Sequence, residues 1–197
     1  TKIAQVAALE QDNDFGKTPS FAHVSGNVYV MAYQGPSNRG FIKTFTLADN
    51  GTITQIAGDE HDDAQGMYNS IVKVNGTVYA LAYSGSGNAG YIKTFNISND
   101  GADVEALGQA IHQSSGTAYN SLVVADENTI VLTYQGPNYD GYIKTFTVSA
   151  NGADITQVSA VEHAGSQGRY NSLIKMDGDT YLLAFAGPGD DGVLKTF

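Results

Sequence analysis

The chain has 197 residues, 20 acidic against 10 basic side chains, a net charge of −10 and no cysteine. It can bury one sizeable core, and it excludes thiolate metal sites, disulfides and cysteine nucleophiles. Lys and Arg are scattered singly, which argues against nucleic acid or an anionic membrane as partner, and no apolar run approaches the ~20 residues that span a bilayer.

The first β-rich stretch is Ile3-Ala4-Gln5-Val6, followed by a link that carries Gln11. Further on, GFIKTF at 40–45 returns as GYIKTF at 90–95 and 141–146 and as GVLKTF at 192–197. Gly40, Gly90, Gly141 and Gly192 set a period of 50 or 51 residues, a spacing that points to solenoids or propellers. The second copy predicts four strands, at 70–74, 77–83, 90–97 and 103–107. They are rich in Val, Ile, Tyr, Phe and Thr and are separated by turn formers. Asn75-Gly76 and Asp177-Gly178 are tight-hairpin signals between first and second strands. The last copy supplies three strands, at 172–176, 180–185 and 192–197, and no helical periodicity of useful length is present.

Four strands per unit without a helix make the blade of a β-propeller. The sequence therefore predicts an all-β, four-bladed β-propeller forming a single domain over 1–197. Its blades span 18–59, 68–110, 119–161 and 170–197. Ile3-Ala4-Gln5-Val6 matches Ile53-Thr54-Gln55-Ile56 and Ile155-Thr156-Gln157-Val158. Residues 1–9 are accordingly expected to supply the outer strand of blade four, a Velcro closure that hides both loose edges.

Up-and-down strands send the second-to-third loops and the inter-blade links to one face, where function is expected. Three columns gather there. His61, His112 and His163, with Gln11 in the first slot, can bond at the blade junctions or line a pocket. Glu10, Glu60 and Glu162 stand beside the column to hold a ring nitrogen. Three imidazoles can also ligate zinc, but they belong to different blades, so no metal site is assigned. Tyr68-Asn69, Tyr119-Asn120 and Tyr170-Asn171 offer flat faces beside directional amides, or amides that tie loop backbone. Thr18-Pro19 takes their place in blade one, so that quadrant is expected to bind poorly. Gln34 and Gln135 could add polar contacts, and Asn38, Asn88 and Asp190 could do the same or shape the turn. Lys43, Lys93, Lys144 and Lys195 read as packing devices, with stems on apolar surface and ammonium groups near a carboxylate or carbonyl.

Aromatic faces beside amides suit a sugar, and repetition offers avidity. The expected function is a non-catalytic carbohydrate-binding or adhesive module. A structural or protein-interaction scaffold is the alternative, and a polysaccharide lyase using His/Tyr acid–base chemistry is a second. The partner is then a glycan or another protein, and no cofactor is expected beyond an adventitious cation or water in the central channel. The four-unit register resembles the hemopexin-like four-bladed propellers, which implies protein and ligand contacts and an ion in the channel, although their terminal disulfide is absent here. The phrase YNSLV…TYxLxYxGxGxDGYIKTF is also similar to repeats of secreted bacterial proteins. That likeness and the acidic, Lys-poor composition make a secreted or cell-surface bacterial location the expectation.

Overall fold

The computed structural model describes residues 3–197. Blade one contains β1 (Lys17–Ser25), β2 (Val28–Gln34), β3 (Gly40–Leu47) and β4 (Ile53–Asp62). Blade two contains β5 (Met67–Asn75), β6 (Val78–Ser84), β7 (Gly90–Ile97) and β8 (Val104–Gln113). Blade three contains β9 (Ala118–Asp126), β10 (Thr129–Gln135), β11 (Gly141–Val148) and β12 (Ile155–Ala164). Blade four has three strands, β13 (Arg169–Lys175), β14 (Tyr181–Ala186) and β15 (Gly192–Thr196). Each sheet is an antiparallel meander in sequence order. The Gly-rich loops between second and third strands each hold one 3-10 turn, such as Ser86–Asn88.

The second and third strands form the dry centre of the middle blades. Ala80, Leu81, Ala82, Tyr83 and Ile92 have no accessible surface, because both faces of a middle blade are covered. One face of blade one, with Val24, Val28, Val30 and Ile42, packs on Ile71, Tyr79, Leu81 and Phe95 of blade two. The equivalent face of blade two packs on Leu122, Ile130, Leu132 and Phe146 of blade three. Val131 and Ile143 then meet Leu173, Leu183 and Phe185 of blade four. The same junction is thus built three times from the same columns.

Polar ties reinforce it. The Lys43 ammonium donates to the carbonyl of Gln11 at 2.6 Å and Lys93 to that of His61 at 2.8 Å. Lys144 and Lys195 bond the carbonyls of His112 and His163 in the same way. Along the first strands, the N–H groups of Ile71, Leu122 and Leu173 donate to Ser20, Ser70 and Ser121 of the preceding blade.

The glycine that opens each third strand has a steric cause. A Cβ at Gly40 would stand 2.1 Å from the His61 ring; at Gly90 and Gly141 it would stand 2.3 Å and 2.2 Å from His112 and His163. At Gly192 it would meet nothing within 4 Å.

The open notch at Gly192 shows that the predicted closure is not made. The sheets do not form a ring: the extensive contacts between them run from β1 to β5, β5 to β9 and β9 to β13, and blade four ends at β15 without an outer strand. Residues 3–10 form no strand and Ile3 is fully exposed, while Thr1 and Lys2 of the expected strand lie outside the described residues. The segment instead lies against blade one. A Cβ at Gly51 would touch Val6, just as one at Gly101 would touch Ile56 and one at Gly152 would touch Leu107. Tyr33 donates to Asp12 at 3.1 Å as Tyr83 donates to Asp62 at 3.0 Å. Residues 6–12 therefore take the place of the outer strand and link of a blade preceding blade one. The fold is an open arc of four propeller blades.

Candidate functional site

In each first strand the pairing slips by a residue, between Lys17 and Ser20, Met67 and Ser70, Ala118 and Ser121, and Arg169 and Ser172. These slips are β-bulges, which re-aim side chains beside functional sites. They place Thr18, Tyr68, Tyr119 and Tyr170 at φ of 46°, 53°, 54° and 53°. That is left-handed backbone, which a residue with a Cβ adopts only when its surroundings hold it there.

The bulges line up across the arc because the first strands pack side by side. Tyr68 and Tyr119 have ring centroids 4.8 Å apart, and Tyr119 and Tyr170 4.3 Å apart, with tilted planes. With Thr18, Pro19, Asn69, Asn120 and Asn171 they line an open depression of about 240 Å³. Burial, and then the neighbouring hydroxyls of Tyr170 and Tyr68, push the Tyr119 hydroxyl well above the usual phenol range. At neutral pH it stays protonated. Tyr170 presents 61% of its surface.

The asparagines hold the frame. Asn69 donates to the carbonyl of Gly66 and Asn171 to that of Gly168, both at 2.9 Å, and Asn120 crosses to the carbonyl of Tyr68 at 3.0 Å. The three Oδ1 atoms are buried without a partner. Thr18 contributes as well, its hydroxyl accepting the N–H of Tyr68 at 3.1 Å.

The histidines are not part of the depression. They sit at the far ends of β4, β8 and β12, which run past the predicted strand ends into what the sequence reads as link. Their rings pack edge-on against Tyr83, Tyr134 and Phe185 of the next blade at 4.6–4.7 Å, rather than on Tyr68, Tyr119 or Tyr170. Burial pushes His61 and His112 down to about 3 and His163 down to about 4. None of their ring nitrogens has a partner in hydrogen-bond geometry, and Glu60 pairs with Arg39 at 2.8 Å instead. Among the described residues no cluster of His, Asp and Glu could hold a metal.

The loop residues lie apart from the depression. Gln34 donates to Asn38 at 2.8 Å, and the carbonyls of Asn38 and Asn88 accept the N–H of Gly66 and Thr117 from the following link. Gln135 is buried, and Asp190 occupies its turn at φ 61°. Of the sequence-predicted residues, six converge: Tyr68, Asn69, Tyr119, Asn120, Tyr170 and Asn171. Sequence reasoning missed the bulge, whose one signal is that Tyr-Asn stands directly before the repeated Ser70, Ser121 and Ser172 without the strand alternation around it. It also missed an apolar cleft of about 420 Å³ on blade one, lined by Leu9, Phe21, Tyr29, Met31, Phe45, Leu47 and Ile53.

Residues 5–176 match the family described as lactonase, 7-bladed β-propeller. The chain belongs to that family. This replaces both the hemopexin-like resemblance and the likeness to repeats of secreted bacterial proteins, and with the former the expectation that four blades suffice for a ring. No curated protein matches the chain. Among solved structures, Sqt1 of Saccharomyces cerevisiae is 12% identical with a TM-score of 0.61, over 88% of this chain and 44% of that one. Chaetomium thermophilum Sqt1 bound to the N-terminus of ribosomal protein L10 is 14% identical with a TM-score of 0.57, over 90% and 44%. An exo-β-1,3-galactanase of Phanerochaete chrysosporium with galactose is 13% identical with a TM-score of 0.55, over 96% and 48%. The chain spans less than half the length of these relatives, and the likeness is one of fold.

Proposed function

We propose that this chain is a non-catalytic propeller scaffold that docks a segment of a partner protein in the tyrosine depression. The carrying observation is the ladder Tyr68–Tyr119–Tyr170, held at left-handed backbone by the frame around it and open to solvent. Flat rings with little rotamer freedom are the usual anchors of protein recognition. The face is anchored on rigid first strands, so binding needs little ordering of the scaffold. The net charge of −10 favours a basic or neutral segment, because a like-charged one is repelled on approach. A Sqt1 of the same architecture has been solved with the N-terminus of a ribosomal protein bound.

Acid–base catalysis has less support. The phenol of Tyr119 is held protonated, no carboxylate lines the depression, and the histidines are buried elsewhere. The same ring faces also suit a sugar, and the family name raises lactone opening. A peptide array and a glycan array, each probed with the wild type and Tyr119→Ala, separate the readings, and a lactone-hydrolysis assay covers the third. The expected outcome is retention on basic or aromatic peptides, at least ~10-fold weaker in Tyr119→Ala, as truncating an interface anchor costs on the order of 2 kcal/mol. Retention on glycans alone, or peptide retention unchanged in the variant, would refute the docking reading.

A further inference from the structure

The three asparagines of the depression are not used alike. Asn69 and Asn171 each donate to the carbonyl three residues back, at Gly66 and Gly168, whereas Asn120 leaves its own link and crosses to Tyr68. Three residues back from Asn120 is Thr117, and its carbonyl is already taken. The buried Ser84 hydroxyl donates to it at 2.7 Å. Both residues break their columns: Ser84 stands where the flanking blades hold Gln34 and Gln135, and Thr117 where the flanking links hold Gly66 and Gly168. Gln34 donates to Asn38 in its own loop, which leaves the Gly66 carbonyl to Asn69. The two glycines are also packed too closely for a side chain. A Cβ at Gly66 would stand 2.2 Å from the Cα of Gly40, and one at Gly168 2.3 Å from that of Gly141. A threonine at 117 therefore requires its link to stand farther from Gly90.

The consequence falls on Tyr68. Its N–H donates to the Thr18 hydroxyl of blade one at 3.1 Å, and its carbonyl accepts from Asn120 of blade three at 3.0 Å. A tyrosine at φ 53° is thus gripped by both neighbouring blades, and its ring lies 4.8 Å from that of Tyr119. We propose that Ser84 and Thr117, neither of which lines the depression, are positioning residues for it. They turn Asn120 onto Tyr68 and make the Tyr68–Tyr119 pair the preorganised seat of the docked segment, a role that rests on the docking function proposed above. The physical reason is that a buried amide must find an acceptor. With Ser84 on the near carbonyl, Asn120 finds its acceptor across the junction. Left-handed backbone at a tyrosine persists only where its surroundings over-determine it, and a seat fixed before binding spares the cost of ordering it.

A double-mutant cycle between Ser84 and Asn120 tests the proposal, with nuclear magnetic resonance locating the acceptor of the Asn120 amide. In the wild type, through-hydrogen-bond coupling is expected from Asn120 Nδ2 to the Tyr68 carbonyl carbon. In Ser84→Ala it is expected to move to the carbonyl of Thr117. The same move is expected when Ser84→Gln is combined with Thr117→Gly, a pair that the flanking junctions already use and that is therefore expected to fold. Binding is read with a hexapeptide of alternating arginine and tyrosine. Ser84→Ala is expected to weaken it about fivefold, the worth of one neutral hydrogen bond. In an Asn120→Ala background the same change is expected to cost nothing more, because both act through one bond. Additive losses, unchanged binding in Ser84→Ala, or an Asn120 amide whose acceptor is not Tyr68 in the wild type or stays Tyr68 in Ser84→Ala, would overturn the positioning role. A wild-type chain that does not bind the peptide, while the coupling moves as expected, would instead refute the docking reading and leave the control of Asn120 by Ser84 in place.

Discussion

A buried imidazole answers to pH. His61 and His112 ionise near 3 in the folded chain because burial disfavours their charged form, against about 6.5 when exposed. The unfolded chain therefore binds more protons between those values, so stability rises with pH there and is lost as pH falls from about 7 toward 3. By about pH 5 each fully buried ring subtracts about 2 kcal/mol. Asp12, Asp100 and Asp126, which are held below the usual carboxylate range, lose their contribution only under more acid conditions. His112→Gln tests this with the residue that the chain itself places in the same column at Gln11. The variant is expected to show a fall in unfolding free energy between about pH 7.5 and 5 that is smaller than wild type by about 2 kcal/mol. An unchanged difference would mean that the ring is charged in the fold. Histidines nine residues before a repeated serine look like ligands in one dimension. Only the glycine opposite each ring, where a Cβ would stand within 2.4 Å, marks them as plugs.

At the scale of the element, the third strand binds each blade to the one before it. Its Lys alternates with buried neighbours, Ile92 and Thr94 beside Lys93, and reaches across the junction to a carbonyl of the preceding outer strand. A hydrogen bond to a charged group contributes about 1.5–3 kcal/mol, less where water competes. Lys93→Met keeps the stem and removes the bond. It is expected to lower Tm by about 2–6 °C, and a melting temperature within error of wild type would show that the apolar stem alone does the work. This strand was legible in sequence to the residue: 90–97 was expected and Gly90–Ile97 is observed. The outer strand was not. The reading of 103–107 stops short of the observed Val104–Gln113, because β8 is flanked on one side only and carries Glu105, Gln109 and an exposed Ile111 without a clean alternation. The tyrosine bulge was hidden for a related reason. Left-handed backbone at Tyr is imposed by the neighbouring blade, through contacts such as Thr18 to Tyr68, and local propensity gives no sign of it.

Across the whole molecule, periodicity explains both what was readable and what was misplaced. A repeat defines the position of a segment within a unit, but it does not say which unit the segment serves. Ile3-Ala4-Gln5-Val6 has the register of an outer strand, and the contact of Val6 at Gly51 agrees with it. The blade it implies precedes blade one, however, and is not blade four of the same chain. An open arc has unequal parts. Blades two and three are covered on both faces, with Tyr83, Ile92, Leu132 and Tyr134 fully buried, whereas blade four has three strands and an exposed β15. Amide exchange by local opening follows such differences in burial. In dilute protein the amides of β13 and β15 are expected to exchange first and those of β6, β7 and β10 last, with β1 between them because residues 6–12 cover part of its blade. If all four blades exchanged at one rate in the dilute chain, the arc would be opening as a single cooperative unit, and the unequal cover of its ends would carry no energetic weight.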